Sequence, residues 1–205
     1  MKQPVKKAVL ILLLTQSFSS HNLGLALRWT NNTILAIAVI FFSCEIPDQN
    51  YNDPLDLDYN SSKGIIPPAF IFSPDQVSTS VSQNISLELH ALEVDRVAGS
   101  QITISYNPSK VSLQNISQGD WLVDNGQTPI FLYENNSTSG VIDIYYSVLG
   151  SSEHLSGTGI VAYLSFTVNA PGPITISIDG STRIVDKDNQ PIQLNGLGEV
   201  AVTTQ

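Results

Sequence analysis

From Ala69 onward, apolar and polar residues alternate along several stretches of the chain. The alternation runs through Ile85–Leu92, Thr103–Tyr106, Val141–Val148, Ala162–Val168 and Ile174–Ile178. Successive side chains of a β-strand point to opposite faces of its sheet, so this period predicts half-buried antiparallel strands. Clusters of Gly, Pro, Asn, Asp and Ser separate the stretches at regular intervals, as in β-sandwiches. Residues 69–205 are therefore predicted to form an all-β, jelly-roll or Ig-like sandwich of about eight to nine antiparallel strands.

The charges divide the chain into a basic head and an acidic body. Residues 1–43 carry four basic residues and no acid, whereas the remainder carries 18 acids against 5 bases. An acidic body offers no basic patch that could displace counterions from a phosphate backbone, so nucleic-acid binding is disfavoured. The single cysteine, Cys44, excludes an internal disulfide framework and any multi-thiolate zinc site.

The basic head has the pattern of an export signal. Lysines precede the short apolar run Ala8–Leu14, and a second run, Thr33–Phe42, ends at Ser43-Cys44. Neither run reaches the roughly 18–20 apolar residues that span a bilayer. Each run has the length of a signal-peptide core, with positive charge on its N-terminal side. Residues 1–43 are therefore predicted to direct export and to be absent from the mature protein.

The end of the second apolar run resembles a bacterial lipobox, in which a small residue precedes a cysteine that becomes lipidated. Ser43 fits the small position, whereas Phe41 and Phe42 depart from the usual aliphatic and small residues. Lipidated Cys44 would hold the mature protein in the cell envelope or at the cell surface, because two or more acyl chains give stable attachment. An uncleaved anchor helix and a signal cut elsewhere by an ordinary peptidase are the alternatives.

The segment that follows is rich in Pro, Asn, Asp and Ser and has no apolar period. Residues 44–68 are therefore predicted to be a flexible acidic linker. Asp53, Asp56 and Asp58 lack the glycine and the terminal glutamate of an EF-hand, so a solvated spacer is favoured over a calcium loop.

The body offers little of what catalysis requires. Neither His90, which alternation places on an outward face, nor His154 has a metal-ligand partner at a useful spacing. Asp186–Asn189 is interpreted as a turn rather than a calcium site, and Trp121 as a core or edge residue rather than a sugar platform. The sequence therefore predicts no enzyme activity, no cofactor and no metal.

A series of short motifs in the body resembles the cohesin family. In order they are Val97-Ala98-Gly99, Tyr106-Asn107-Pro108, Val111-Ser112-Leu113, Gly119-Asp120, Gly157-Thr158-Gly159 with the strand from Ala162, and a closing hairpin over 188–200. The resemblance covers about residues 69–203. Asn107 stands where aspartate is commoner in the family, which is a mild change within turn chemistry.

This resemblance implies a nine-stranded jelly roll that recognises another protein. In cohesins, one sheet face formed by the third, fifth, sixth and eighth strands grips the helices of a calcium-loaded dockerin module. The segments from 99, 141 and 162 are interpreted as the third, sixth and eighth strands. Alternation then gives these partner-binding residues: Gly99, Gln101, Thr103, Asp143, Tyr145, Ser147, Tyr163 and Ser165.

The partner expected from the resemblance is a dockerin-bearing or other extracellular protein, with polysaccharide as a further candidate ligand. The protein would touch the membrane only through its lipid anchor, and its setting would be polysaccharide degradation. Two alternatives of different class remain open. One is a carbohydrate-binding module on the same sandwich, and the other is a structural or adhesive Ig-like surface domain.

Overall fold

The computed structural model describes residues 53–123, 129–149 and 154–204 of the chain. The predicted export segment 1–43, Cys44 and residues 45–52 of the predicted linker lie outside the described residues. Within the described ranges, no helix is both long enough and apolar enough to cross a bilayer.

More than half of the described residues lie in strands. The strands are β1 (Ala69–Ser73), β2 (Gln76–Thr79), β3 (Asn84–Val97), β4 (Gly99–Tyr106), β5 (Val111–Gln118), β6 (Ile130–Asn136), β7 (Val141–Ser147), β8 (Leu155–Val168), β9 (Ile174–Ile178), β10 (Arg183–Val185), β11 (Pro191–Ile192), β12 (Gly196–Leu197) and β13 (Glu199–Thr204). A short helix, α1 (Leu57–Ser62), precedes β1, and a 3-10 turn spans Asp120–Leu122.

Two sheets pack face to face, which confirms the predicted all-β sandwich. The first sheet has the order β12-β1-β3-β8-β5. In the second, β4 pairs with β7 along one side and with β10 and β9 along the other, and β7 also pairs with β6. Not every pairing is antiparallel as predicted, because β1 runs parallel to β12 and β13 runs parallel to β2.

The core lies between the sheets and uses the alternation that the sequence displays. The inner faces supply fully buried side chains that include Phe70, Phe72, Leu87, Phe166, Ile102, Ile104, Ile142 and Ile144. The rings of Tyr106 and Phe166 meet edge to face across the core, with centroids 5.6 Å apart. Apolar burial of this extent is the main source of stability for such a sandwich.

Trp121 belongs to this core, as predicted. It is 7% exposed, and its ring meets that of Tyr146 edge to face at 6.4 Å. The indole lies directly against the main chain of Gly159, where an added Cβ would stand 2.3 Å from Cδ1 of Trp121. Only glycine fits at position 159, because a carbon atom at that distance would overlap the ring.

The segment before β1 differs from the flexible linker that was predicted. Residues 57–62 form α1, and the Asp56 carboxylate caps the helix by accepting a hydrogen bond from the main-chain N–H of Tyr59. Asn60 is 3% exposed, and its amide donates to two main-chain carbonyls of the preceding turn. Tyr59 and Lys63 both donate to Asp75, between β1 and β2. The polar residues that indicated a tether thus serve as caps and turn contacts.

His90 lies on the outer side of the first sheet, as alternation predicts, but it is buried at 4% exposure. Ile71 and Leu92 lie on the same side and form a small apolar cluster with Ile65, so this part of the outer side is not open to solvent. His90 is in register with Ile71 of β1, and its Nε2 lies 3.0 Å from a carboxylate oxygen of Glu88.

Candidate protein-binding surface

The second sheet presents a broad outer face on β10, β4, β7 and β6. Strand register places Arg183 beside Gln101, Gln101 beside Tyr145, and Tyr145 beside Leu132. We call this surface the β6–β7–β4 face. It comprises Gly99, Gln101, Thr103, Ile130, Leu132, Glu134, Asp143, Tyr145, Ser147 and Arg183.

Six of the eight predicted partner-binding residues come together on this face. They are Gly99, Gln101, Thr103, Asp143, Tyr145 and Ser147, which lie on the neighbouring strands β4 and β7. Two of the six contribute little exposed surface. Gly99 is buried close to the side chain of Val185, and Thr103 is 8% exposed.

The other two predicted residues, Tyr163 and Ser165, lie on the opposite sheet. Their strand, β8, pairs with β3 and β5, whereas β10 and β9 occupy the place beside β4. The prediction that they share a face with Gln101 and Tyr145 is therefore wrong. Alternation indicates which side of its own sheet a residue occupies, but it does not indicate which sheet the strand joins.

Tyr163 and Ser165 instead belong to a polar surface that we call the β3–β8–β5 face. It comprises Ser86, Glu88, Asn115, Tyr163 and Ser165, which register places side by side. The hydroxyl of Tyr163 donates to a carboxylate oxygen of Asp120 at 2.9 Å.

The sequence analysis missed the residues that β6 and β10 add to the β6–β7–β4 face. Ile130 is 45% exposed and Leu132 is 62% exposed, both on the outer side, and Glu134 and Arg183 are exposed as well. The sequence feature that could have indicated β6 is the run Ile130–Tyr133, in which every residue is apolar rather than every second one. A strand that is apolar on both sides, at the edge of a sheet, is typical of a surface that another molecule covers.

Asp143 is fixed near the middle of the β6–β7–β4 face. Its Oδ1 accepts a hydrogen bond from the hydroxyl of Thr103 at 2.6 Å and one from the amide of Gln101 at 3.4 Å. Thr103 is itself held, because its main-chain N–H donates to the hydroxyl of Thr182 at 3.1 Å. These hydrogen bonds hold the carboxylate in place, so a group that contacted it would meet a lower ordering cost.

The same region of the face carries a concentrated negative charge. Glu134 stands directly opposite Asp143 on the neighbouring strand, an arrangement that costs stability because the two charges are alike. Desolvation, and then the charges of Asp143 and Glu134, raise the pKa of Tyr145. This acidic corner favours a partner that places a cationic group there.

The composition of the face suits protein recognition better than catalysis. Apolar side chains on β6 adjoin an aromatic ring and fixed polar groups on β7 and β4, the mixture found at protein interfaces. Among the residues that the structure describes, no three His, Cys, Asp or Glu side chains are grouped so as to hold a metal ion.

Comparison with protein families identifies the fold. The family profile described as the cohesin domain matches residues 71–200, well over half of the chain. The chain therefore belongs to the cohesin family. No curated protein matches the chain in sequence.

Several solved structures with the same fold are cohesins. A non-cellulosomal cohesin from the hyperthermophilic archaeon Archaeoglobus fulgidus is 17% identical, with a TM-score of 0.54 over 67% of this chain and 91% of that chain. A type I cohesin–dockerin complex from Clostridium thermocellum matches with 13% identity and a TM-score of 0.55, over 67% and 94%. The sixth cohesin of scaffoldin B from Acetivibrio cellulolyticus, bound to a dockerin, matches with 17% identity and a TM-score of 0.54, over 67% and 96%.

Proposed function

We propose that this cohesin domain binds a dockerin-type partner through its β6–β7–β4 face and has no catalytic role. Family membership supports a dockerin partner, because the similar Clostridium thermocellum and Acetivibrio cellulolyticus cohesins are bound to dockerins. The observation that carries the choice of face is the exposure of Ile130 and Leu132 beside Tyr145.

The apolar residues supply the affinity in this proposal. Leu132 is 62% exposed, so a partner side chain that covered it would remove apolar surface from water. Full burial of a leucine side chain is worth about 2 kcal/mol. A few apolar and aromatic side chains dominate the binding energy of an interface, and Leu132 and Tyr145 adjoin each other on this face.

The charged residues supply orientation. Asp143 and Glu134 form one corner of the face, and Arg183 lies two strands away from Asp143 on β10. A partner helix with a lysine or arginine above the acidic corner would be steered and aligned by this arrangement. Reversing the helix would move that cation away from the acids, so the charges favour one docking direction.

Calorimetric titration against a panel of purified dockerins tests the proposal. Binding is expected with calcium for at least one dockerin and is expected to disappear with a chelator, because the partner is a calcium-loaded module. The chelator should leave the melting temperature of this chain unchanged. Absence of calcium-dependent binding to every dockerin, with retention on insoluble polysaccharide, would favour a carbohydrate-binding module instead.

We also propose that the mature protein is anchored outside the inner membrane through lipidated Cys44, where it tethers its partner in polysaccharide degradation. The proposal rests on the apolar run Thr33–Phe42, on Ser43 before Cys44 and on the acidic body that follows. Mass spectrometry of the mature N-terminus should show acylated Cys44. An intact Met1, or an unmodified cut at another position, would contradict the lipid anchor.

A further inference from the structure

β6 is an edge strand with an open side. In the part of the chain that the structure describes, β7 is its only strand neighbour. The ladder between them runs without a register shift from Ile130 to Asn136, so β6 is regular along its whole length. An edge of this kind presents a row of main-chain donors and acceptors that another strand can pair with.

Other edge strands of the sandwich carry features that discourage pairing with another chain. β5 has a register shift between Leu113 and Asn115 and carries mostly polar side chains. β11, at another boundary of the second sheet, has two residues and begins with Pro191. Bulges, proline and short length all discourage strand addition. β6 contains no lysine, no proline and no bulge.

The side chains of β6 are also left uncovered on both sides. Leu132 is 62% exposed on the outer side, and Tyr133, which alternates with it, is 45% exposed on the other side. Docking on the outer face would cover Leu132 but not Tyr133. An added strand would place a side chain next to each of them, because directly opposed residues share a face.

We propose that β6 pairs with β6 of a second copy of this chain, in antiparallel orientation about Leu132. In this register Leu132 of one chain lies opposite Leu132 of the other. Phe131 of each chain lies opposite Tyr133 of the other, and Ile130 lies opposite Glu134. The pairing keeps outer residues opposite outer residues, as strand geometry demands. It brings apolar and aromatic residues together, and Glu134 does not meet the Glu134 of the other copy.

The self-complementarity of β6 is the reason to choose a second copy as the occupant. A two-fold pairing uses the same edge on both chains and closes, so it yields a dimer rather than a filament. The two β6–β7–β4 faces would then lie side by side in one continuous sheet and leave both outer surfaces open.

Salt separates this association from dockerin docking. The body carries 18 acids against 5 bases, so two copies repel each other at low ionic strength. Screening should therefore strengthen the dimer, whereas it should weaken binding of a cationic partner to the acidic corner. A chain that fails to dimerise can still bind a dockerin, so the two proposals fail independently.

Sedimentation of the purified full chain across a concentration series tests the dimer. A monomer–dimer equilibrium is expected that shifts towards dimer between about 0.05 and 0.5 M salt. Leu132→Lys should weaken dimerisation by at least about 30-fold, because it removes an apolar pair and opposes two cations. Leu149→Lys is the matched control, since Leu149 is 65% exposed but lies outside β6, and it should leave the equilibrium unchanged. A wild-type monomer throughout, or equal effects of the two variants, would overturn the proposal.

Cysteine cross-linking tests the register. In a Cys44→Ser chain, Leu132→Cys should form an intermolecular disulfide under mild oxidation, because opposed Cβ atoms lie within about 5.5 Å. Glu134→Cys should not, because its copy lies four residues along the partner strand, about 13 Å away. Cross-linking through position 134, or through neither position, would reject this pairing.

Discussion

The two outer faces of the sandwich come from the same alternating pattern, yet they present different chemistry. The β3–β8–β5 face shows serine, asparagine and a tyrosine whose hydroxyl is bound to Asp120. The β6–β7–β4 face shows Ile130 and Leu132 at its edge and a fixed carboxylate, Asp143, near its middle. Polar outward residues are what any antiparallel strand requires, so the departure from that pattern on β6 is what indicates a binding surface.

The largest expected effect concerns the core that both faces share. Gly159→Val would drive a side chain into Trp121, where a Cβ alone would stand 2.3 Å from the ring. Unfolding should become easier by about 3 kcal/mol, the upper range for overpacking, and both faces should be lost together. Denaturant titration measures the change. Gly180→Val is the control, because no atom lies within 4 Å of its Cβ position, and it should alter stability little.

The next largest effect should separate the faces. Leu132→Asp should weaken dockerin binding by about 100-fold, because it replaces an apolar contact with a charge that must be desolvated. The melting temperature should change little, since Leu132 is largely exposed. Calorimetry gives the affinity. Ser165→Asp, the matched change on the β3–β8–β5 face, should bind as the wild type does, and a comparable loss there would erase the distinction between the faces.

Charge removal should give a smaller and salt-dependent effect. Asp143→Asn keeps the size of the side chain but removes the charge that Thr103 and Gln101 hold in place. Binding should weaken by about 10-fold at low salt and by less at high salt, because screening already reduces the interaction. Surface plasmon resonance at two salt concentrations measures this. Glu88→Gln on the opposite face serves as the control, and a salt-independent loss in Asp143→Asn would speak against an electrostatic role.

The smallest effect is expected at the rim. Arg183→Ala should speed association with the dockerin by about threefold and leave dissociation nearly unchanged, because it removes an exposed positive charge from a face that attracts a cationic partner. Stopped-flow mixing resolves the two rates. An effect confined to dissociation would place Arg183 inside the buried interface rather than at its edge.

Much of the fold could be predicted from the sequence because strand alternation is a local property. The inward positions of Ile102, Ile104, Ile142 and Ile144 follow from it, and all four are fully buried. The cohesin resemblance depended on motif order and is confirmed by the family profile over residues 71–200. The sequence predicts Gln101 and Tyr145 on one face, and the pairing of β4 with β7 brings them side by side.

The rest depended on long-range pairing or on departures from alternation. Nothing local to Tyr163 and Ser165 indicates that β8 pairs with β3 rather than with β4. The first half of β6, Ile130–Tyr133, has no period to detect, because its residues are apolar on both sides of the strand. α1 has six residues, and its boundaries depend on the Asp56 cap and on contacts to Asp75, which composition alone does not indicate.

Methyl-detected NMR of the chain during titration with a calcium-loaded dockerin tests the choice of face most directly. The methyl resonances of Ile130 and Leu132, exposed on the β6–β7–β4 face, should shift or broaden as the complex forms. The methyl resonance of Thr167, on the outer side of β8 with Tyr163 and Ser165, should stay in place. A shift at Thr167 with Ile130 and Leu132 unchanged would show that the partner binds the other side of the sandwich, which would contradict the proposed docking face.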